Sequence, residues 1–292
     1  MGVFNADDSL GRKPASKIAE YLTDIGNLDD AVYFQEGAVT GQSILPLNKA
    51  WAHSGCILGY IMEAKTIQAT SSIVGTSQIS GDKSLIGKQI KISLDKFYTH
   101  SYPGFGQHTI LCEFSGKNQV PDETEELRFA LRCKSNDQAS AAVASTPIFM
   151  GVTVASGGIS FEGRTINVSS SGDESLLSAF DTPAFKSGLA LLTSAQPALK
   201  PFSALAISAV KTIAERRKNV QVHQFDLGLD FSGSSTGLRL KTGSYIIVQS
   251  DNAMGWSWDD YHWNNSSHTL ELKAEKNKSI PFNYMVIGVS EF

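Results

Sequence analysis

The sequence predicts a mainly β protein, an antiparallel sandwich or two packed sandwich-like halves, with one helical segment near 184–218. Three observations carry that expectation. Apolar and polar residues alternate with a period of two along several segments, as they do in a sheet with one buried and one wet face. Gly- and Ser-rich turns separate those segments. Apolar residues make up 41% of the 292 and charged residues only 18%, which favours a packed core over disorder.

In chain order, residues 15–24 read as a short helix that Gly26 closes. Ile90, Ile92 and Leu94 then alternate with polar neighbours, as do Ile110, Cys112 and Phe114. The clearest strand sets Leu127, Phe129, Leu131 and Cys133 against Arg128, Ala130, Arg132 and Lys134. Ile148 to Val154, a Gly157-Gly158 turn and Ile159 to Phe161 read as a hairpin, and Ile166 and Val168 continue the pattern. After about Asp173 the spacing becomes helical or irregular. That change places a provisional boundary between a β-rich half, 1–180, and a half, 181–292, that starts helical and ends in strands, although both fit one domain.

Pro201 suits the first position of the best helix. Phe202, Leu205, Ala206, Ala209, Val210 and Ile213 form its stripe, Arg216, Arg217 and Lys218 its last turn, and Asn219 its end. A stripe so rich in alanine is expected to pack on a sheet. Strands resume with Phe225, Leu227, Leu229 and Phe231, then Leu238 to Leu240 and Tyr245 to Gln249. A closing hairpin of 268–273 and 280–289 is expected around Glu275 to Ser279.

Several motifs imitate chemistry and fail on context. Gly233-Ser-Ser235-Thr-Gly237 matches a nucleophile elbow, but a strand follows where that motif needs a helix. Ser208-Ala-Val-Lys211, Lys241-Thr-Gly243 and Ser250-Asp-Asn252 reproduce the short signatures of penicillin-recognising enzymes in the wrong order and at too short a spacing. Gly81 to Gln89 is a phosphate-loop imitation with one residue too many and Gln where a metal-binding hydroxyl belongs. His53 near Cys56 and His108 near Cys112 lack any thiol-protease signature, and no paired Cys or His spacing fits zinc. Cys112 and Cys133 fall at core-facing positions, so buried reduced thiols are expected. No cofactor or metal is expected.

One stretch stands out. Three of the four tryptophans fall within Trp256-Ser-Trp258-Asp259-Asp260-Tyr261-His-Trp263. Large rings offer much contact area at little entropic cost, and the carboxylates suit a polar rim. Trp256, Trp258, Asp259, Asp260, Tyr261 and Trp263 are therefore the candidate binding residues, against the alternative that the rings fold inward as core. Alternation places Trp256, Trp258 and, less directly, Trp263 on one side.

The expected function is a non-enzymatic intracellular protein-interaction or assembly module, binding a protein partner or itself as a homo-oligomer. A carbohydrate-binding, lectin-like sandwich is the alternative, and a hydrolase with a dispersed site is the third class. A net charge of −4 argues against nucleic acid as a partner. The opening residues lack the basic head and apolar run of a signal peptide, and no apolar run reaches the roughly 20 residues of a membrane span, so a cytoplasmic location without a transmembrane segment is expected.

Overall fold

The computed structural model describes residues 4–40, 49–63, 68–120, 123–182, 189–190, 204, 207–232, 237–275 and 278–292. Helix α1 (Ala15–Asp24) is followed by Gly26 at φ +81° and by α2 (Leu28–Thr40). Strands β1 (Cys56–Ile61), β2 (Thr70–Ser71), β3 (Ile73–Gly75), β4 (Gln89–Thr99), β5 (His108–Val120) and β6 (Glu123–Ser135) come next. Then follow β7 (Ala139–Ser140), β8 (Thr146–Thr153), β9 (Ile159–Val168), α3 (Glu174–Ser178) and β10 (Leu189–Ala190). A helix over 207–214, α4, precedes β11 (Asn219–Asp230), β12 (Leu238–Arg239), β13 (Gly243–Gln249), β14 (Tyr261–Asn264), β15 (Thr269–Leu272) and β16 (Tyr284–Glu291).

These strands build a mainly β, sandwich-like fold of antiparallel sheets with few helices, as the alternation predicts. One sheet runs β10-β8-β4-β16-β13-β1-β3, with β7 beside β4; the second runs β12-β11-β9-β5-β6; a small third is β15-β14-β2. Each large sheet draws strands from both sides of residues 173–200. β9 pairs with β11 in one, and β4 with β16 in the other. The main core lies between them, where Phe149 of β8 meets the edges of Phe129 of β6 and Phe161 of β9. Ring pairs at such angles add roughly 0.5–1.5 kcal/mol beyond area burial.

Three local expectations give way to the tertiary structure. β8 and β9 form no hairpin. Their connection carries the chain from one large sheet to the other, leaving a single bridge, Ala155 to Gly158. Among the described residues 268–273 and 280–289 form no hairpin ladder either: β15 pairs with β14, β16 lies between β4 and β13, and one isolated bridge, Glu271 to Ser279, is left. The outer face of β5 is not wet, because Leu111, Glu113 and Ser115 are as buried as the inward Ile110, Cys112 and Phe114. The turns at Ala6–Asp8 and Leu10–Arg12 contact β11, and Ala179–Asp181 contacts β6, so the second sheet is covered on its outer side. The helix's expected start at Pro201, with Phe202, Leu205 and Ala206, lies outside the described residues.

Within α4, Ala209, Val210 and Ile213 join the main core. The basic residues lie beyond the helix end, and two of them make tertiary ion pairs: Arg216 Nε meets the fully buried Asp173 at 2.6 Å, and Arg217 Nε meets Asp24 at 2.7 Å. Asn219 satisfies the helix end, donating from Nδ2 to the Ile213 carbonyl (2.8 Å). Cys112 and Cys133 are free and buried with their sulfurs 3.8 Å apart. No helix of the described residues is long and apolar enough to cross a membrane.

Candidate functional site: an aromatic loop braced on the sheet

The loop between β13 and β14 is fixed first at its base. Asp251 accepts hydrogen bonds from the backbone N–H of Ser54 (3.1 Å) and Gly55 and from the Ser54 hydroxyl (3.3 Å), and lies 3.3 Å from His53 Nδ1. Burial pushes this carboxyl up, but the His53 contact and the two backbone donors outweigh it and hold the pKa at about 2. The same Gly55 offers its carbonyl to His223 Nε2 at 3.2 Å, which ties the loop's base to β11.

His223 yields a testable consequence. Burial lowers its pKa from 6.5 to about 4, against smaller upward pulls from the Gly55 carbonyl and the Asp251 charge. The unfolded chain therefore binds the extra proton between those values. This contribution to stability is complete above pH 6.5 and is lost as pH falls toward 4, by at most about 3 kcal/mol. Denaturation midpoints measured from pH 7 to pH 4 should fall, and His223→Gln should flatten that slope.

Above the base the rings lock together. Trp256 stacks on Tyr261 with centroids 4.4 Å apart and planes 13° apart, and meets Trp258 and Phe282 edge-on at 5.3 and 5.6 Å. Trp258 sits in a short 3-10 turn, Trp258–Asp260, capped by the Ser257 hydroxyl, which accepts from Asp259 N at 3.2 Å. Its indole N–H donates to the Leu58 carbonyl of β1 at 3.2 Å. Gly59 makes that approach available, since a Cβ there would stand 2.5 Å from the indole ring.

The six candidate residues are thus divided. Trp256, Trp258 and Tyr261 are half-buried in one stack, and Asp259 and Asp260 are exposed at its margin. Trp263 is buried beneath them. It belongs to β14, opposite Leu270 and Ser71, and only 7% of it is exposed within a second core cluster with Ile57, Ile246, Leu270 and Val286. Trp256 and Trp258 pack against this same cluster, so the three tryptophans share a side as the alternation predicts, and Tyr261, two residues before Trp263 on β14, joins them there instead of facing away. Met254, which sequence reasoning passed over, is fully exposed at the loop's tip (104%). Its signal was available: a long apolar side chain in the short stretch between Asn252 and Gly255 has no strand or helix face to join. Burial and then the Asp260 charge raise the Tyr261 hydroxyl pKa.

The other motifs find structural places. Ser208 is exposed on α4, and Lys211 there pairs with Glu215 at 3.9 Å. Ser250 is buried, its hydroxyl accepting from Asn252 N at 3.2 Å, and Ser235 lies outside the described residues. Gly81 to Gln89 leads into β4, not a helix. Burial, with a smaller push from Asp226, raises the Cys56 thiol to about 12, so it is a poor nucleophile beside His53. Among the described residues no three His, Cys, Asp or Glu side chains gather to hold a metal. No protein-family model, curated protein or solved structure matches the chain.

Proposed function

We propose that the chain is a non-enzymatic intracellular protein-interaction module that self-associates, and that the loop 251–261 is its docking surface. The observation carrying this reading is the fully exposed Met254 at the tip of a loop whose rings are already locked onto the sheet. Such a surface loses little entropy on binding, and a flexible thioether suits an imperfectly matched partner pocket. Asp259 and Asp260 supply the polar rim. The buried, unbridged Cys112 and Cys133 fit a reducing, cytoplasmic setting.

Sedimentation velocity over a concentration series tests the proposal. The chain should show reversible self-association. Met254→Asp should weaken it by about tenfold or more while leaving the melting temperature unchanged, because truncating a central anchor commonly costs roughly 2 kcal/mol. A chain that stays monomeric at high concentration, or whose association ignores Met254, refutes the reading. For the hydrolase class, a fluorophosphonate probe is expected to leave Ser208 unlabelled.

A further inference from the structure

A groove of about 1040 Å³ crosses the outer face of the largest sheet, away from the sandwich core. Its floor spans four strands, from Ile61 of β1 through Ser244 of β13 and Val286 of β16 to Lys96 of β4. One wall is the small sheet, with Trp263 and the β14–β15 turn; the other is the segment 143–145 that precedes β8. At the top of the usual range of roughly 300–1,000 Å³, the groove suits a chain of several units better than a single small ring.

Three features distinguish it from an ordinary surface hollow. The first is a bulge in β4. Val286 pairs with Lys96 but Ile287 with Leu94, so Asp95 is the extra residue. A bulge re-aims side chains, and this one presents two consecutive residues, Asp95 and Lys96, to the same groove. The second is their lack of ion pairing. Ser93 Oγ donates to Asp95 Oδ1 at 2.7 Å, and the carboxylate lies over Gly288, where any Cβ would collide with it. Neither Asp95 nor Lys96 makes an ion pair with the other or with any other described residue. Burial pulls the pKa of the half-buried Lys96 ammonium down. The third is backbone strain. Of the three non-glycine residues with positive φ among the described residues, two line this groove from opposite walls: Ser145 (φ 48°) and His268 (φ 52°). Such conformations cost roughly 1–3 kcal/mol and cluster at ligand sites.

From these features we infer that the groove is a binding site for a neutral oligosaccharide, held by Asp95 and Lys96 on the floor. A sugar hydroxyl both donates and accepts, so a diol satisfies a carboxylate acceptor beside an ammonium donor that do not satisfy each other. Ile61, Met62 and Val143, each partly exposed, supply apolar surface for the C–H faces of the rings. An acidic chain fits worse, because among the described lining residues Asp95 and Glu63 stand against one lysine, Lys96. An extended peptide also fits worse. It would need a free strand edge to pair with, whereas β1, β13, β16 and β4 are each paired on both sides.

The site is independent of the docking loop, and the experiment keeps the two apart. The full chain is titrated by calorimetry with neutral tetrasaccharides of β-1,4-glucose, α-1,4-glucose, β-1,4-mannose and β-1,4-N-acetylglucosamine, and with a tetrauronate. At least one neutral tetrasaccharide should bind one-to-one with a Kd of about 1 mM or tighter. Lys96→Met and Asp95→Asn should each weaken it by about tenfold or more. Ser267→Trp, which fills the groove's mouth from an exposed position, should abolish binding with the fold intact, and Met254→Asp should leave it unchanged. Failure of all four neutral chains to bind, binding of the tetrauronate in their place, or binding that survives both floor substitutions would overturn the assignment.

Discussion

Glu113→Gln should be among the most destabilising single substitutions in the chain, at about 3–5 kcal/mol, the cost of removing one partner from a buried ion pair. Glu113 is 2% exposed on the outer face of β5. Its carboxylate meets Arg128 Nη1 at 3.3 Å and Arg164 Nε at 2.7 Å, and Arg128 also reaches the exposed Glu126 at 3.6 Å. Those side chains are only 13% and 19% exposed, which denies them the solvent screening that weakens surface pairs. Both guanidiniums also lie over the Phe4 ring, 5.0 and 4.7 Å from its centroid. Phe4 N donates to Glu162 at 3.3 Å, so the N-terminal segment closes over the network. A neutral amide at 113 keeps the shape and removes the buried carboxylate that both guanidiniums share. Urea denaturation should show a lower midpoint with an unchanged slope. Replacing all three residues by methionine should recover most of the loss, since a buried ion network is seldom more stable than an apolar filling of the same volume. A cost below about 1 kcal/mol for Glu113→Gln would mean that the network behaves as a solvated pair.

Glu113 also shows where sequence reading stops. The fold class was legible because alternation is a local property: the inward set Leu127, Phe129, Leu131 and Cys133 declares a strand whatever lies around it. What lies on the other face of the sheet is not local. Arg128 and Arg132 look like a wet face until the N-terminal turns and Ala179–Asp181 are placed over them. The false hairpins arise in the same way. Gly157-Gly158 marks a reversal correctly, but turn chemistry does not say whether the chain returns to its own sheet or crosses to the next.

The candidate site was legible in part for a related reason. Clustered rings and carboxylates identify the loop, yet period-two reasoning assigns faces only within a strand, and across the 3-10 turn at Trp258–Asp260 it would turn Tyr261 away from the tryptophans it packs with. The groove was invisible. Its decisive residues, Asp95, Lys96 and His268, carry no motif, and they acquire significance from a bulge and from backbone strain that a sequence does not display.

Trp263 and Trp258 should separate in the second large effect. Trp263→Ala removes a ring that is 7% exposed and packed among Ile57, Ile246, Leu270 and Val286, and the resulting cavity should cost about 3–5 kcal/mol. Trp263 is one of the small sheet's main anchors, beside the fully buried Leu270, whose N–H donates to the Tyr284 hydroxyl, and β2 pairs with β14 at Asn264 and Trp263 itself. The loss should therefore appear first as faster amide exchange in β14 and β15, before the large sheets open. Trp258→Ala should cost less. Its ring is half-buried, and it gives up one hydrogen bond to Leu58 and its contact over Gly59, while Trp256, Tyr261 and Phe282 still pack together. Met254→Asp should cost close to nothing, as a fully exposed side chain has no packing to lose. The expected order of destabilisation, Trp263 above Trp258 above Met254, is the reverse of the expected order for self-association, in which Met254 leads and Trp263 matters only through the fold. If Trp258→Ala unfolds the chain as readily as Trp263→Ala and none of the three changes association, the loop is a lid over the second core and the docking surface lies elsewhere.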